Sequence, residues 1–155
     1  MAMTCTVHRA TVAEIMLAPE FPALIEAYDR ECRIEGMPPP NAKMESYQAY
    51  DASGFLFAFA AVNDGELVGF ITVMAAPLPH YDAPVAVCES FFVSPSHRGQ
   101  TGLALLAVAE KQAMECGSTG LLVCAPLGSR LWGLLPKVGY NPTNVVFFKR
   151  LGDVH

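Results

Sequence analysis

Apolar residues recur along this chain at two spacings, and the switches between them divide it into elements. Cys5 to Arg9 fits a short strand, and Thr11-Val-Ala-Glu14 has the form of a capping box that opens a helix. Phe21, Leu24, Ile25 and Tyr28 then repeat at helical spacing and predict a helix from about Glu20 to Ile34. Gly36-Met-Pro-Pro-Pro-Asn41 breaks the chain, and Asn41 is placed to cap another short helix toward Tyr50. Two apolar runs, Phe55 to Val62 and Leu67 to Met74, flank Asn63-Asp-Gly-Glu66, a strong hairpin signal. A loop with Pro77, Pro79, His80, Tyr81 and Pro84 leads to a strand from Val85 to Val93. Past a turn with Pro95, Gly99 and Gly102, a helix runs to about Cys116 and is ended by Gly117. Gly120 to Ala125 reads as a buried strand, Ser129 to Val138 as a short helix and Asn144 to Lys149 as a final strand.

Composition narrows the class. The chain of 155 residues is most simply one domain spanning 1–155, and 52% apolar against 16% charged residues predicts a well-folded globule. Its net charge of −5, with ten Lys and Arg residues in no basic run, opposes nucleic-acid binding and suits a cationic or neutral small substrate. The cysteines, Cys5, Cys32, Cys88, Cys116 and Cys124, are odd in number and without metal-ligand spacing. They are expected to be reduced and mostly buried, hence a cytoplasmic protein without a metal site. No signal-peptide core is evident, and Pro77 and Pro79 interrupt the lengthy apolar stretch in mid-chain, so no membrane association is expected.

The richest segment runs from Glu89 to Leu106, strand through glycine turn into helix. Such a turn leaves unpaired N–H groups converging at the positive end of the helix dipole, a ready cradle for phosphate. Arg98-Gly99 and Gly102-Leu-Ala-Leu-Leu106 resemble the acyl-CoA-binding motif of the GNAT superfamily of N-acyltransferases, Arg or Gln, two residues, Gly, one residue, then Gly or Ala. One motif glycine is missing. With the register fixed by Leu103 to Leu106, Gln100 takes its place and His97 that of the arginine; with Arg98 as the anchor, Thr101 takes it. The element order also resembles the GNAT fold over almost the whole chain. It implies an α/β (α+β) domain with a mixed, mostly antiparallel sheet of about six strands, helices on both faces, and a splay between strands four and five.

That resemblance implies acetyl-CoA as co-substrate. Its pyrophosphate would lie on Arg98, Gly99, Gln100, Thr101, Gly102 and Leu103, and its pantetheine arm between the strands Val85 to Val93 and Gly120 to Ala125. Backbone near Phe91, Phe92 and Val93 would meet the thioester oxygen, and Ser129 would lie on the pantetheine and adenosine side. Leu134-Leu-Pro-Lys-Val-Gly-Tyr140 resembles the segment that closes the cofactor site, with Gly139 and Tyr140 matching a glycine and its trailing aromatic. The tyrosine that often protonates the departing thiolate would fall at Leu135, which has no proton to give, so Tyr140, another group or water must serve. Tyr140 reads equally as a core aromatic.

Acyl transfer to an amine also needs a base. Glu89 is the first choice, a carboxylate inside an otherwise apolar strand, costly there unless exposed or paired, with no other between Asp82 and Glu110. His80 and Tyr81 could border a substrate entrance. Strand alternation turns Cys88 and Ser90 to the face opposite Glu89, as packing residues rather than nucleophiles. Arg130 could meet a phosphate, or lie on the surface, and Trp132 reads as packing. The reading is N-acetyl transfer to a small-molecule or protein amine, with pairing into a homodimer through a strand edge or helix face left open. Two alternatives stand beside it: a non-catalytic CoA-binding or interaction protein that retains the fold, and another type of enzyme holding a phosphate-bearing ligand at the same turn.

Overall fold

Asp64 and Gly65 both take positive φ, 50° and 85°, the backbone of a two-residue type I′ turn whose twist matches the strands it joins. Around it β2 (Leu56–Asn63) and β3 (Glu66–Leu78) pair antiparallel from Asn63↔Glu66 to Leu56↔Met74. β1 (Thr6–Ala10) lies antiparallel beside β2, and β4 (Ala83–Val93) antiparallel beside β3. A parallel neighbour needs a crossover. The helix α4 (Gln100–Glu115) supplies it and brings β5 (Leu121–Val123) alongside β4, for the sheet order β1-β2-β3-β4-β5. The computed structural model describes residues 5–41 and 43–152, so the ends of the expected 1–155 domain lie outside the described residues.

Alternation along the strands makes a core on each side of the sheet. Phe59, Ala61, Ile71 and Val73 pack with Leu105, Leu106, Ala109 and Ala113 of α4. Ala58, Ala60, Phe70 and Phe92 face the other way, under α1 (Val12–Leu17) and α2 (Phe21–Cys32). On that second side α3 (Met44–Ala52) docks against α1, its Asp51 carboxylate accepting the Val12 amide at 3.1 Å. The capping box forms: the Glu14 amide donates to Thr11 Oγ1 at 3.1 Å and the Thr11 amide to Glu14 Oε2 at 2.6 Å. Thr11→Ala is therefore expected to cost about 1 kcal/mol, read as a lower urea midpoint at unchanged slope.

Several boundaries differ from the sequence expectation. The proline loop is shorter, because β3 and β4 continue as a hairpin through Pro77↔Pro84 to Leu78↔Ala83. Both prolines lie beyond the pairing of β2 and β5, where each strand has one neighbour and a missing N–H is tolerated. Asn41 does not cap α3; Lys43 precedes it without a side-chain cap. β5 is three residues long and partly exposed rather than buried. Pro136 splits the expected helix from Ser129 into α5 (Arg130–Leu134) and a tighter turn over Leu135–Val138. The sixth strand does not form. Residues 144–149 find no ladder partner among the described residues, and Phe147 stands 91% exposed.

Candidate active site

The decisive local event is a slip in one ladder. Thr72 pairs with Ser90 and Val73 with Cys88, so Glu89 is the extra residue of a bulge in β4. A bulge breaks the alternation of faces. Glu89 and Ser90 consequently both line a cleft on the α1 to α3 side, which corrects the expected placement of Ser90 opposite Glu89. Cys88 turns into the core beneath α4, where burial pushes its thiol up to about 12, keeping it protonated and inert as a nucleophile at neutral pH.

In the cleft Glu89 is the end point of a hydrogen-bond relay. The Tyr47 hydroxyl donates to Glu89 Oε1 at 2.7 Å and the Thr72 hydroxyl to Oε2 at 2.8 Å. Thr72 has one proton and gives it to Glu89, so the 2.6 Å contact between Thr72 and Ser90 must carry the Ser90 proton toward Thr72. The Ser90 amide is a second donor to Thr72 Oγ1, at 3.1 Å. Burial, and then the bond to Glu89, raise the Tyr47 phenol above its usual value and keep it a donor. An ionised carboxylate accepts at about four lone-pair sites, and two are used, so Glu89 retains capacity for an incoming N–H.

The cleft, about 490 Å³, has Glu89, Thr72 and Tyr47 on its polar side and side chains of α1 and α2 on its apolar side. Tyr28 of α2 lies in the same wall between Phe70 and Phe92, its phenol raised chiefly by burial.

The second half of the site is at the end of β4. The parallel ladder with β5 stops at Cys88↔Val123, while β4 runs on to Val93, so the two strands part there. α4 begins just beyond. Its first bond is Leu103 N–H to Gly99 C=O at 3.2 Å, and the amides of Gly99, Gln100, Thr101 and Gly102 meet no acceptor among the described residues. Gly99 sits at φ 94° and ψ −114°, a conformation L side chains rarely adopt, and the space above its Cα is open. A diphosphate fits this donor set: four free amides, a helix dipole behind them, and no Cβ in the way at the turn.

The side chains at this turn are placed differently from its amides. Arg98 folds back, its Nε donating to Val93 C=O at 3.0 Å, its Nη2 to Glu31 at 2.6 Å, and its guanidinium stacked 5.4 Å from the Phe92 ring centroid. It thus ties the turn to β4 and α2. Thr101 is buried, and Phe91, Phe92 and Val93 pack into the two cores. Ser129 caps α5 by accepting the Trp132 amide at 3.2 Å. Arg130 is exposed, and Trp132 is 41% exposed rather than packed.

Tyr140 and Glu89 lie on opposite sides of the sheet. Tyr140 packs with the α4-side core and donates to Glu110 Oε1 at 2.8 Å; burial and that bond raise its phenol above the ordinary value. His80 and Tyr81 stack edge to face at the tip of the β3–β4 hairpin, outside the cleft lining. Ala83 lies six residues along the strand from the bulge at Glu89, so at roughly 3.4 Å per residue the tip is about 20 Å away. Sequence reasoning missed Tyr47 and Thr72. The available signal was the hydroxyl of Thr72 inside an apolar strand; Tyr47 carries no comparable mark.

Residues 21–140 match the sequence pattern of the acetyltransferase (GNAT) family. The chain belongs to that family. No curated protein matches this GNAT chain in sequence. Among solved structures it resembles a ribosomal-protein-alanine N-acetyltransferase from Brucella melitensis biovar Abortus 2308, with 20% identity and a TM-score of 0.70 over 96% of this chain and 100% of that one. It also resembles an aminoglycoside acetyltransferase from an uncultured soil metagenomic sample, with 17% identity and a TM-score of 0.73 over 97% and 100% of the chains. A third likeness is AAC(6')-Iy in complex with the bisubstrate analog CoA-S-monomethyl-acetylneamine, with 17% identity and a TM-score of 0.68 over 97% and 99%. At these identities the likeness establishes the GNAT fold: five strands, mostly antiparallel, with a parallel pair that parts between β4 and β5. Among the described residues no helix is long and apolar enough to cross a membrane, and no cluster of His, Cys, Asp and Glu suits a metal ion.

Proposed function

We propose that this GNAT domain transfers an acetyl group from acetyl-CoA to a primary amine, by direct attack while both substrates are bound. One observation carries the reading: a row of unpaired amides at the start of α4 lies where β4 and β5 part, and the bulge in β4 delivers Glu89 to a cleft on the other side of the strand. The amides of Gly99 to Gly102 hold the pyrophosphate. Glu89, fixed by Tyr47 and Thr72, takes a proton from the incoming ammonium or amine, directly or through one water. A backbone amide in the Phe91 to Val93 stretch meets the charge that develops on the thioester oxygen. A C–N bond forms, the C–S bond breaks, and the amine's surplus proton ends on Glu89 or solvent.

The departing thiolate needs a proton in turn. The Tyr140 proton is already given to Glu110, on the opposite side of the sheet from Glu89, so that hydroxyl has no free proton for the thiolate. Water fills the role. Tyr140→Phe is expected to leave kcat within about threefold, whereas loss of a true general acid typically costs 10²-fold or more; a loss of that size would return the role to Tyr140.

The test is release of free thiol from acetyl-CoA in the presence of a panel of amines, with CoA binding followed by thermal shift. Turnover on any amine supports the reading, and failure to bind CoA at millimolar concentration removes it. A second reading, a non-catalytic CoA-binding relative, is favoured by the engagement of Arg98 with Glu31 and by leucine at position 135. Binding without turnover across the panel would favour it.

A further inference from the structure

We infer that the acceptor is a small monoamine carried on an apolar body, an alkylamine or arylalkylamine rather than a polycation or a peptide end. The inference rests on the acetyl-transfer reading and names the substrate class of the same site. It follows from how charge and apolar surface are distributed around Glu89.

A cleft of about 490 Å³ lies within the range of small-molecule sites, roughly 300–1,000 Å³. Among the described residues Glu89 is the one carboxylate in its lining, and the other charged side chain there is Lys43, at the rim. One ammonium is therefore matched by one carboxylate. A second ammonium on the same molecule would meet no anion in the cleft and a like charge at its mouth. Aminoglycosides and polyamines, which carry several ammonium groups, would leave all but one of them unmatched.

Apart from Asn41 and Ser46, the rest of the wall is largely apolar. Val12, Ile15 and Met16 of α1 face Phe21 and Ile25 of α2, with Phe70 of β3 as the floor between them. These side chains belong to the core on that side of the sheet, yet leave a gap that helix packing does not close. Glu89 and its donors lie at one end, so an amine bonded there would run its carbon body along this wall. A peptide would need backbone donors and acceptors along its length. The named walls are helix faces and β3 is paired on both sides; the edge of β4 that stands open beyond Cys88 is the side the proposed reading gives to the acyl-CoA arm.

The experiment uses the full chain and two independent readouts. Thiol release at saturating acetyl-CoA is measured for n-butylamine, n-hexylamine, n-octylamine and phenylethylamine, beside spermidine, kanamycin and an alanine-started hexapeptide. Direct binding of n-octylamine and spermidine is measured by calorimetry without cofactor. Expected is a rise in kcat/KM of up to about fourfold for each added methylene until the cleft is filled, with octylamine binding more tightly than spermidine. Met16→Gln, a change of polarity at similar volume, is expected to raise the KM for octylamine by roughly fivefold with kcat unchanged; an equal KM in both proteins counts against the apolar wall. Faster turnover of spermidine, kanamycin or the peptide than of any apolar amine overturns the substrate class and leaves acetyl transfer standing. Octylamine binding without any thiol release or CoA binding has the opposite effect: it supports the apolar amine site and removes the transferase reading. CoA binding with no binding of octylamine overturns the inference alone.

Discussion

Glu89→Gln is expected to lower kcat for amine acetylation by roughly 10²- to 10⁴-fold at neutral pH, the usual worth of a positioned general base. The substitution keeps the shape of the side chain and one oxygen that can accept from Tyr47, so the fold and the affinity for acetyl-CoA should be little changed. The loss should shrink as pH rises. A free alkylamine has a pKa near that of lysine, about 10.4, so above roughly pH 9 a growing share of substrate arrives neutral and needs no base. Initial rates between pH 6.5 and 9.5, wild type against variant at saturating acetyl-CoA, read this directly. A variant with full rate across that range would remove Glu89 from the chemistry. The same logic grades its partners: Tyr47→Phe and Thr72→Val each delete one charge-assisted hydrogen bond and should act in the same direction with smaller losses, since the carboxylate itself remains.

The second large effect is expected at the turn before α4. Gly99→Ala puts a Cβ on a residue at φ 94° and ψ −114°, where the open space offers no clash but the backbone itself resists. Holding a non-glycine residue in so sparsely populated a region costs on the order of 1–3 kcal/mol. The turn either bears that strain or relaxes, and relaxation swings the amides of Gly99 to Gly102 away from a common point. The KM and Kd for acetyl-CoA should rise by roughly tenfold to a hundredfold, accompanied by a lower Tm. Calorimetric titration with CoA separates the two: unchanged affinity together with an unchanged Tm, the mark of a turn that has relaxed, would show that these amides do not hold the diphosphate. Changes at Arg98 should behave otherwise. Its guanidinium bonds Val93 and Glu31, so Arg98→Ala is expected to loosen the attachment of the turn to α2 and lower stability more than it alters phosphate contacts.

These expectations combine features that the sequence discloses unequally. The I′ turn at Asp64-Gly65, the capping box at Thr11 and the glycine at position 99 were legible because each is a demand that a short stretch makes on its own backbone. The order of elements was legible because hydrophobic period changes with secondary structure. The strand expected from Asn144 to Lys149 shows the limit of that argument. Val145, Val146, Phe147 and Phe148 have strong strand propensity, yet a strand exists only where a neighbour offers a ladder, and none does among the described residues. Alternation likewise misplaced Ser90, since one extra residue in β4 reverses the faces beyond it.

By itself, then, the chain determined its class, the hairpin at its centre, the glycine turn proposed to hold phosphate and the carboxylate proposed as base, all through signals spanning a few residues. Only the tertiary structure decided what surrounds that carboxylate. Tyr47 reaches Glu89 from 42 residues away, Thr72 from 17, and Arg98 is drawn from the turn before α4 to Glu31 across 67. The physical reason is range: dihedral preferences and periodicity act along the chain, whereas hydrogen-bond partners and the shape of a cleft are fixed when separate surfaces come to rest against one another.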